Sequence, residues 1–273
     1  MPQSESANYQ VAQDLHNTEI LTARFHHQRF SRHVHEGYCI GVIEQGAQQF
    51  WRSGSHHIAA KDSIILVNAD QVHDGHRASE HGWSYQACYP TPEVFTALSQ
   101  EFEGPRSEPW FEHAVETNAR VAQTLRNMFA TLKQSTLSLE RETVFYFAMT
   151  QVMRSFGRQR PEFSQLRAQP AAIRFITEYL QHHFAENVSL EQLATAINLN
   201  PFYLTRLFTR TVGLPPHRYQ IQIRIQRAKE MLRRNKSLHS TALDCGFSDQ
   251  SHLNRHFKWI TGITPGQYRT SIT

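Results

Sequence analysis

Cysteine is scarce in this 273-residue chain: three residues, far apart, at Cys39, Cys88 and Cys245. An odd, scattered set supplies no disulfide framework and points to a reducing compartment, with the thiols serving as small buried hydrophobes. Long apolar runs are missing too, since no stretch approaches the roughly 20 residues needed to span a bilayer. The opening MPQSESANYQ has no basic segment followed by an apolar core, so no secretory signal is expected and the reading is cytoplasmic. With 40% hydrophobic and 19% charged residues, neither a disordered nor a fibrous chain fits. The length is enough for two ordinary domains, each burying its own core.

What is present is unevenly distributed. Residues 170–273 hold 13 Lys and Arg against 6 Asp and Glu, whereas residues 1–169 hold 15 against 18. A basic segment attached to a mildly acidic one is the electrostatic footprint of a polyanion-binding module tied to a module with another task. An ordinary basic surface is the plain alternative.

From about 19 to 90 the pattern reads as β. The runs YCIGVIEQ (38–45), SHHIAA (55–60), SIILVN (63–68) and WSYQACY (83–89) are separated by Gly, Asn, Asp and Ser, as in a sandwich or small barrel. From 93 to 157 the character turns helical. Ala122, Leu125, Met128, Phe129 and Leu132 recur at helical spacing, and a second helix over 138–156 is read to open on a Ser138 cap. That second helix is apolar around much of its circumference, which suits a core helix or a dimer contact. GRQRPEFSQLRAQP (157–170) reads as a linker, and 171–273 as helical nearly to the end. The expected architecture is therefore multidomain α+β. Its parts are a barrel over 1–92, a helical connector over 93–157, a linker over 158–170 and an all-α unit over 171–273.

The all-α unit repeats itself. LATAINLNPFYLTRLFTRTVGLPPHRYQ (193–220) resembles TALDCGFSDQSHLNRHFKWITGITPGQYR (241–269). At an offset of 49, Leu204 aligns with Leu253, Arg206 with Arg255, Phe208 with Phe257, Gly213 with Gly262, Pro216 with Pro265 and Tyr219 with Tyr268. Upstream the offset is 48, pairing Ala194 with Ala242 and Asn198 with Gly246. Ser189 with Gln192 is a capping box, and Asn198 and Gly246 are types that accept a left-handed backbone at a turn. Asn200–Pro201 and Ser248–Asp249 then start the second helix of each unit. Leu204, Leu207 and Phe208, like Leu253 and Phe257, should face inward. Facing outward are Phe202, Tyr203, Thr205, Arg206 and Arg210, and then Gln250, Ser251, Asn254, Arg255 and Lys258. Arg, Gln and Asn can pair with base edges in a major groove, where a helix-turn-helix inserts such a helix. A helical bundle with a solvated polar face is the competing interpretation, and the duplication weighs against it.

The stretch GFSDQSHLNRHFKWITGITPGQYR (246–269) resembles the signature of the AraC/XylS family of bacterial transcription regulators, and the likeness runs over about 170–271. The resemblance implies two helix-turn-helix units joined by one long helix, here PHRYQIQIRIQRAKEMLRR (216–234). Taken alone, YQIQIRIQ alternates like a strand. By position the family's base contacts fall on Phe202, Thr205 and Arg206 and on Gln250, Ser251, Asn254 and Arg255. Arg210 is added from the outward face. The sequence departs from the family at Asn198, where Gly is usual, and at Thr241, where an apolar residue is usual.

The β segment is similar to the family's cupin-like sensor barrel. Ten of the 17 histidines lie in residues 1–81. His33, His35 and His73 match three of the four ligand positions of metal-binding cupins, but Cys39 and Ile40 stand where the fourth ligand, a Glu, would be. Three imidazoles can still hold Zn²⁺ or Fe²⁺. The reading taken is nevertheless a metal-free effector pocket with no cofactor, and with Arg24, His33, His35, Tyr38, Trp51 and His73 as candidate lining. The expected function is a non-enzymatic, effector-controlled, DNA-binding transcription regulator. Activation is the family's more common mode, with double-stranded DNA, a small-molecule effector, RNA polymerase and a second copy of the chain as partners. An enzyme of the metal cupin class and a ligand-indifferent architectural DNA binder are the alternatives.

Overall fold

The computed structural model describes residues 5–100, 108–159 and 171–272, apart from the side chains of Gln100, Gln159 and Phe202. The chain divides into two compact units, an N-terminal one of residues 1–29 and 34–161 and a C-terminal one of residues 30–33 and 162–273. The expected linker over 158–170 lies almost entirely outside the described residues.

The N-terminal unit opens with β1 (Ser6–Ala12), β2 (Thr18–Phe25) and, after β3 (Phe30–His33), which is counted with the C-terminal unit, β4 (Cys39–Arg52). It continues with β5 (Ser55–Ala60), β6 (Ile64–Val67), β7 (His73–Arg77) and β8 (Trp83–Tyr89). After α1 (Pro92–Gln100) come β9 (Pro109–Phe111), β10 (Val115–Glu116), α2 (Ala119–Gln134), α3 (Ser138–Phe156) and β11 (Gly157–Gln159). The connector is therefore not purely helical. β10 pairs with β6, and β11 pairs with β9.

The sheet of this unit runs β1-β2-β8-β4-β6-β10, with β5 and β7 pairing to β4. It has the strands of the expected barrel but is not closed. The 14-residue β4 makes this shape: its first half pairs with β6 and β8, its second with β5 and β7. Between the halves, at Ile43/Gln45, the register with β8 shifts in a bulge. A bulge inserts one residue into a period-two strand and hands each face to the other set of side chains. One face of the sheet carries Ile20, Ile40, Val42, Ile64, Leu66 and Cys88, and it packs against α2 and α3.

α2 is capped by Asn118, whose side chain accepts from the Val121 N–H at 3.1 Å. Its buried stripe of Val121, Ala122, Leu125, Met128, Phe129 and Leu132 meets Phe145, Ala148, Met149 and Val152 of α3. Fully burying each such large side chain contributes about 1.5–3 kcal/mol. Ser138 proves to be the first helical residue of α3 and not its cap. Ser135 does the work nearby: its Oγ accepts from the Leu137 N–H at 3.2 Å and donates to Glu140 at 2.5 Å.

From residue 171 on, the C-terminal unit is helical: α4 (Ala171–His182), α5 (Leu190–Ala196), α6 (Pro201–Val212), α7 (Pro216–Arg233), α8 (Leu238–Asp244), α9 (Gln250–Thr261) and α10 (Pro265–Ile272). YQIQIRIQ lies inside α7, where burial of Gln220, Gln222, Arg224, Ile225 and Ala228 overrides its strand-like alternation. α5–α6 and α8–α9 are the two repeats, and they match in detail. Asn198 and Gly246 both have positive φ (52° and 76°), as do Gly213 and Gly262 (86° and 85°). Phe208 meets the ring of Tyr219 at 5.7 Å, and Phe257 meets that of Tyr268 at 5.5 Å. Leu204, Phe208, Leu253 and Phe257 are all fully buried, as the spacing predicts.

Thr241 is the exception inside this core. It is fully buried, and its hydroxyl has no hydrogen-bond partner. An unsatisfied buried hydroxyl costs about 1–3 kcal/mol, which an isosteric methyl avoids. Thr241→Val should therefore raise the stability of the C-terminal unit by about 1–2 kcal/mol. Chemical denaturation of the two proteins checks this, and a less stable variant would refute the burial argument.

Candidate functional site

α6 and α9 present their outward faces as two equivalent surfaces. Asp249 caps α9 by accepting from the His252 N–H at 2.7 Å, and Asn200 does the same for α6 from the Tyr203 N–H at 3.4 Å. Such caps leave the first turn of each helix well formed where its side chains point out. Arg206 and Arg210 on α6 are exposed, as are Ser251 and Arg255 on α9. Thr205, Gln250 and Asn254 are half-buried, and the Thr205 hydroxyl donates to the Pro201 carbonyl at 3.0 Å. The side chain of Phe202 lies outside the described residues. Arg206 and Arg255, equivalent in the repeat, thus stand at equivalent exposed positions.

α7 holds these surfaces together. The Gln220 amide donates to the Glu186 and Phe184 carbonyls at 3.0 and 3.2 Å. The Arg224 guanidinium donates to Phe184 O at 2.7 Å and Glu186 O at 2.9 Å, and to Gly246 O, in the turn between α8 and α9, at 2.5 Å. That turn packs so closely that a Cβ on Gly246 would lie 2.2 Å from the Ala185 carbonyl oxygen. Arg218 adds a cation–π contact, 3.9 Å above the Trp259 ring of α9. Sequence reasoning missed Arg224. Nothing local marks it, because its partners lie 22 to 40 residues away.

The six candidate lining residues separate. Of the triad His33, His35 and His73, His33 falls in the C-terminal unit, while His35 and His73 come together in the N-terminal one, with ring centroids 5.0 Å apart. His35 also packs on Tyr89, at 4.7 Å between ring centroids. Arg24 does not join them. It lies on the face of β2 opposite Ala23 and Phe25, and donates to Gln45 at 2.8 Å. Tyr38 is core: its hydroxyl donates to Pro109 O at 2.9 Å and its ring packs on Phe95 and Phe111. Trp51 lies on the opposite face of β4 from Phe50 and Arg52, and Arg52 is the register partner of His73.

The residues that do share the face of His35 and His73 were not foreseen. Tyr85 and Ala87 on β8 align across β4 with Ile43 and Gly41, and Glu19 on β2 aligns with Tyr89. Burial pushes the Tyr85 phenol up, with Cys39 and Tyr89 close by. Burial likewise pushes the Cys39 thiol up to about 12, so it is no thiolate at neutral pH. Tyr9 and Glu19 are buried beside Tyr89. The signal was available in WSYQACY, where Trp83, Tyr85, Ala87 and Tyr89 alternate.

Residues 15–149 match the family described as AraC-like ligand binding domain, and residues 193–271 match one described as helix-turn-helix domain. The chain belongs to the AraC family of transcription regulators. It has the family's N-terminal ligand-binding domain and its helix-turn-helix DNA-binding domain. The regulator YbfI of Bacillus subtilis is 26% identical over 251 residues, covering 92% of this chain and 90% of that one. The transcriptional activator RhaS of Shigella sonnei is also 26% identical, over 252 residues, 84% and 85% of the two chains. Among solved structures, unsaturated fatty acid-bound ToxT from Vibrio cholerae has the same fold, with a TM-score of 0.60 at 15% identity over 99% of this chain and 96% of that one. No helix among the described residues is long and apolar enough to cross a membrane.

Two predictions follow from the geometry of this AraC-family reader. Arg206→Ala and Arg255→Ala should each cost about 1–3 kcal/mol of specific DNA binding and relax preference at one base position. Binding titrations on matched and single-substituted duplexes check this, and equal weakening on every sequence would assign both residues to phosphate. The second concerns His256 of α9, whose ring stacks on Phe247. Burial first, then the neighbouring His252 and Arg255, pulls its pKa down to about 4. A depressed imidazole stabilises the fold in its neutral form. That contribution is fully present above the ordinary value near 6.5 and is lost as pH falls from there toward 4. The melting temperature should fall as pH is lowered over that window, and less steeply in His256→Gln; parallel profiles would refute the assignment.

Proposed function

We propose that the chain is a cytoplasmic, homodimeric transcription activator whose two helix-turn-helix units read successive major-groove segments, under control of a small molecule bound in the N-terminal unit. The carrying observation is the pair Arg206 and Arg255, exposed at equivalent positions of two turn-helix units that α7 joins within one domain. Gln250, Asn254 and Thr205 flank them as further base-edge partners, and Ser251 and Arg210 complete the contact surface. The basic balance of residues 170–273 supplies the non-specific attraction to phosphate.

The effector meets the sheet face that carries Tyr9, Glu19, Tyr85, Tyr89, His35 and His73. Buried hydroxyls and a carboxyl on an apolar wall suit a small polar ligand held by a few convergent groups. Leu139 and Phe147, exposed on α3, are the apolar side chains we assign to the contact with a second copy. Activation is the mode that the name of RhaS supports, and RNA polymerase is the partner that an activator of transcription works on. The regulator reading is favoured over an enzyme because the relatives are transcription regulators.

Selection of bound sequences from random duplex DNA by the full-length protein, near physiological salt, tests this reading. The expected outcome is a motif of two short blocks about one helical turn apart. Recovery of no motif by folded protein would overturn the autonomous two-segment reader.

A further inference from the structure

The C-terminal unit holds a cavity of about 230 Å³ where α4, α5, α6 and the start of α7 meet. Its apolar wall is Leu180 of α4, Val188 ahead of α5, Leu190 and Leu193 in α5, and Pro215 and Pro216 where α7 begins. Thr205 of α6 and His217 and Gln220 of α7 are the polar side chains that reach it. Among the described residues no Lys, Arg, Asp or Glu lines it. An apolar cavity of roughly 150 Å³ already takes a benzene ring. This one therefore has room for a ring with a substituent.

The three polar groups decide what that substituent can be. The Gln220 amide nitrogen donates to the carbonyls of Glu186, Phe184 and His183 at 3.0, 3.2 and 3.4 Å. The Thr205 hydroxyl donates to the Pro201 carbonyl at 3.0 Å. Both groups have thus spent their hydrogens, and what they retain is acceptor oxygen. Burial, and then the neighbouring Arg218, hold the His217 pKa below its ordinary 6.5, so the ring is neutral at pH 7 and keeps one acceptor nitrogen. An anionic ligand would meet acceptors and no cation, and an ammonium group would meet no carboxylate. Either would give up its hydration without a charged partner in return. A hydroxyl or a neutral N–H finds what it needs.

We propose that this cavity binds a small, uncharged, mainly apolar molecule, about one ring in size, that carries a single hydrogen-bond donor. The site is separate from the effector face of the N-terminal unit and does not depend on that reading. An occupant touches four helices of the unit at once, so it stabilises the folded form by mass action.

The test titrates full-length protein, with its Leu and Val methyl groups isotope-labelled, using 4-fluorophenol as the probe. The expected result is saturable binding with a dissociation constant on the order of 0.1–1 mM. Nuclear Overhauser contacts should run from the probe ring to the methyls of Leu180, Val188 and Leu193, and the melting temperature of the C-terminal unit should rise. Fluorobenzene, which lacks the donor, should bind at least about threefold more weakly, and benzoate at pH 7 should not compete. Val188→Phe, which fills the cavity, should abolish these contacts. If that variant does not fold, Leu190→Phe, at a partly exposed position of the wall, narrows the cavity from outside with the same expected loss. No saturable binding up to the solubility limit of the probe, contacts only to methyls outside the wall, or unchanged binding in the filled variant would overturn the site. Equal binding of fluorobenzene, or competition by benzoate, would overturn the ligand class.

Discussion

A single guanidinium organises the DNA-binding half of this protein. Arg224, buried in α7, donates to carbonyls of the turn after α4 and to the Gly246 carbonyl in the turn of the second repeat. Each of those oxygens would otherwise be a poorly satisfied acceptor, a cost of about 1–3 kcal/mol apiece when buried. Because the partners belong to segments before and after α7, the same side chain that satisfies them also fixes their spacing. Gln220 reinforces one end, and the Arg218–Trp259 contact reinforces the other. Two short reader units on a flexible tether would each search DNA alone. Clamped to one helix, they approach it with the ordering cost already met, the general advantage of preorganisation.

The duplication was legible because it is written in local chemistry. Left-handed positions at Asn198 and Gly246, the Gly-x-x-Pro-x-x-Tyr tails, and the capping pair Ser189–Gln192 each state a backbone conformation within a few residues. The Phe208–Tyr219 and Phe257–Tyr268 pairs then follow from the same offset. α7 is the reverse case. Its strand-like alternation is local, but the burial that makes it a helix comes from both repeats, so family resemblance and not periodicity identified it.

The sensor half was legible as strands and opaque as a site. Which side chains share a face depends on register, and register depends on pairing with residues far along the chain. β4 shows the effect of register. Extending the alternation of Cys39, Gly41 and Ile43 leads to Trp51, but the irregularity at Ile43/Gln45 passes that face to Gln48, Phe50 and Arg52. Arg24 and Tyr38 were displaced for related reasons, one turned to the far side of β2 and the other drawn into the core against Phe95 and Phe111. His35 and His73, which do lie together, were picked out because their order and spacing match a known ligand pattern. The tyrosines beside them belonged to no such pattern.

The sparse cysteines have a last consequence. All three thiols are buried, and burial raises each pKa, for Cys39 and Cys245 to about 12. The thiolate is the form that peroxides, disulfides and alkylating agents attack, and at neutral pH these sulfurs scarcely populate it. The thiols of the folded chain are therefore chemically quiet. An engineered surface cysteine would be the one reactive thiol, so a dye or spin label could be placed on either half against an almost silent background.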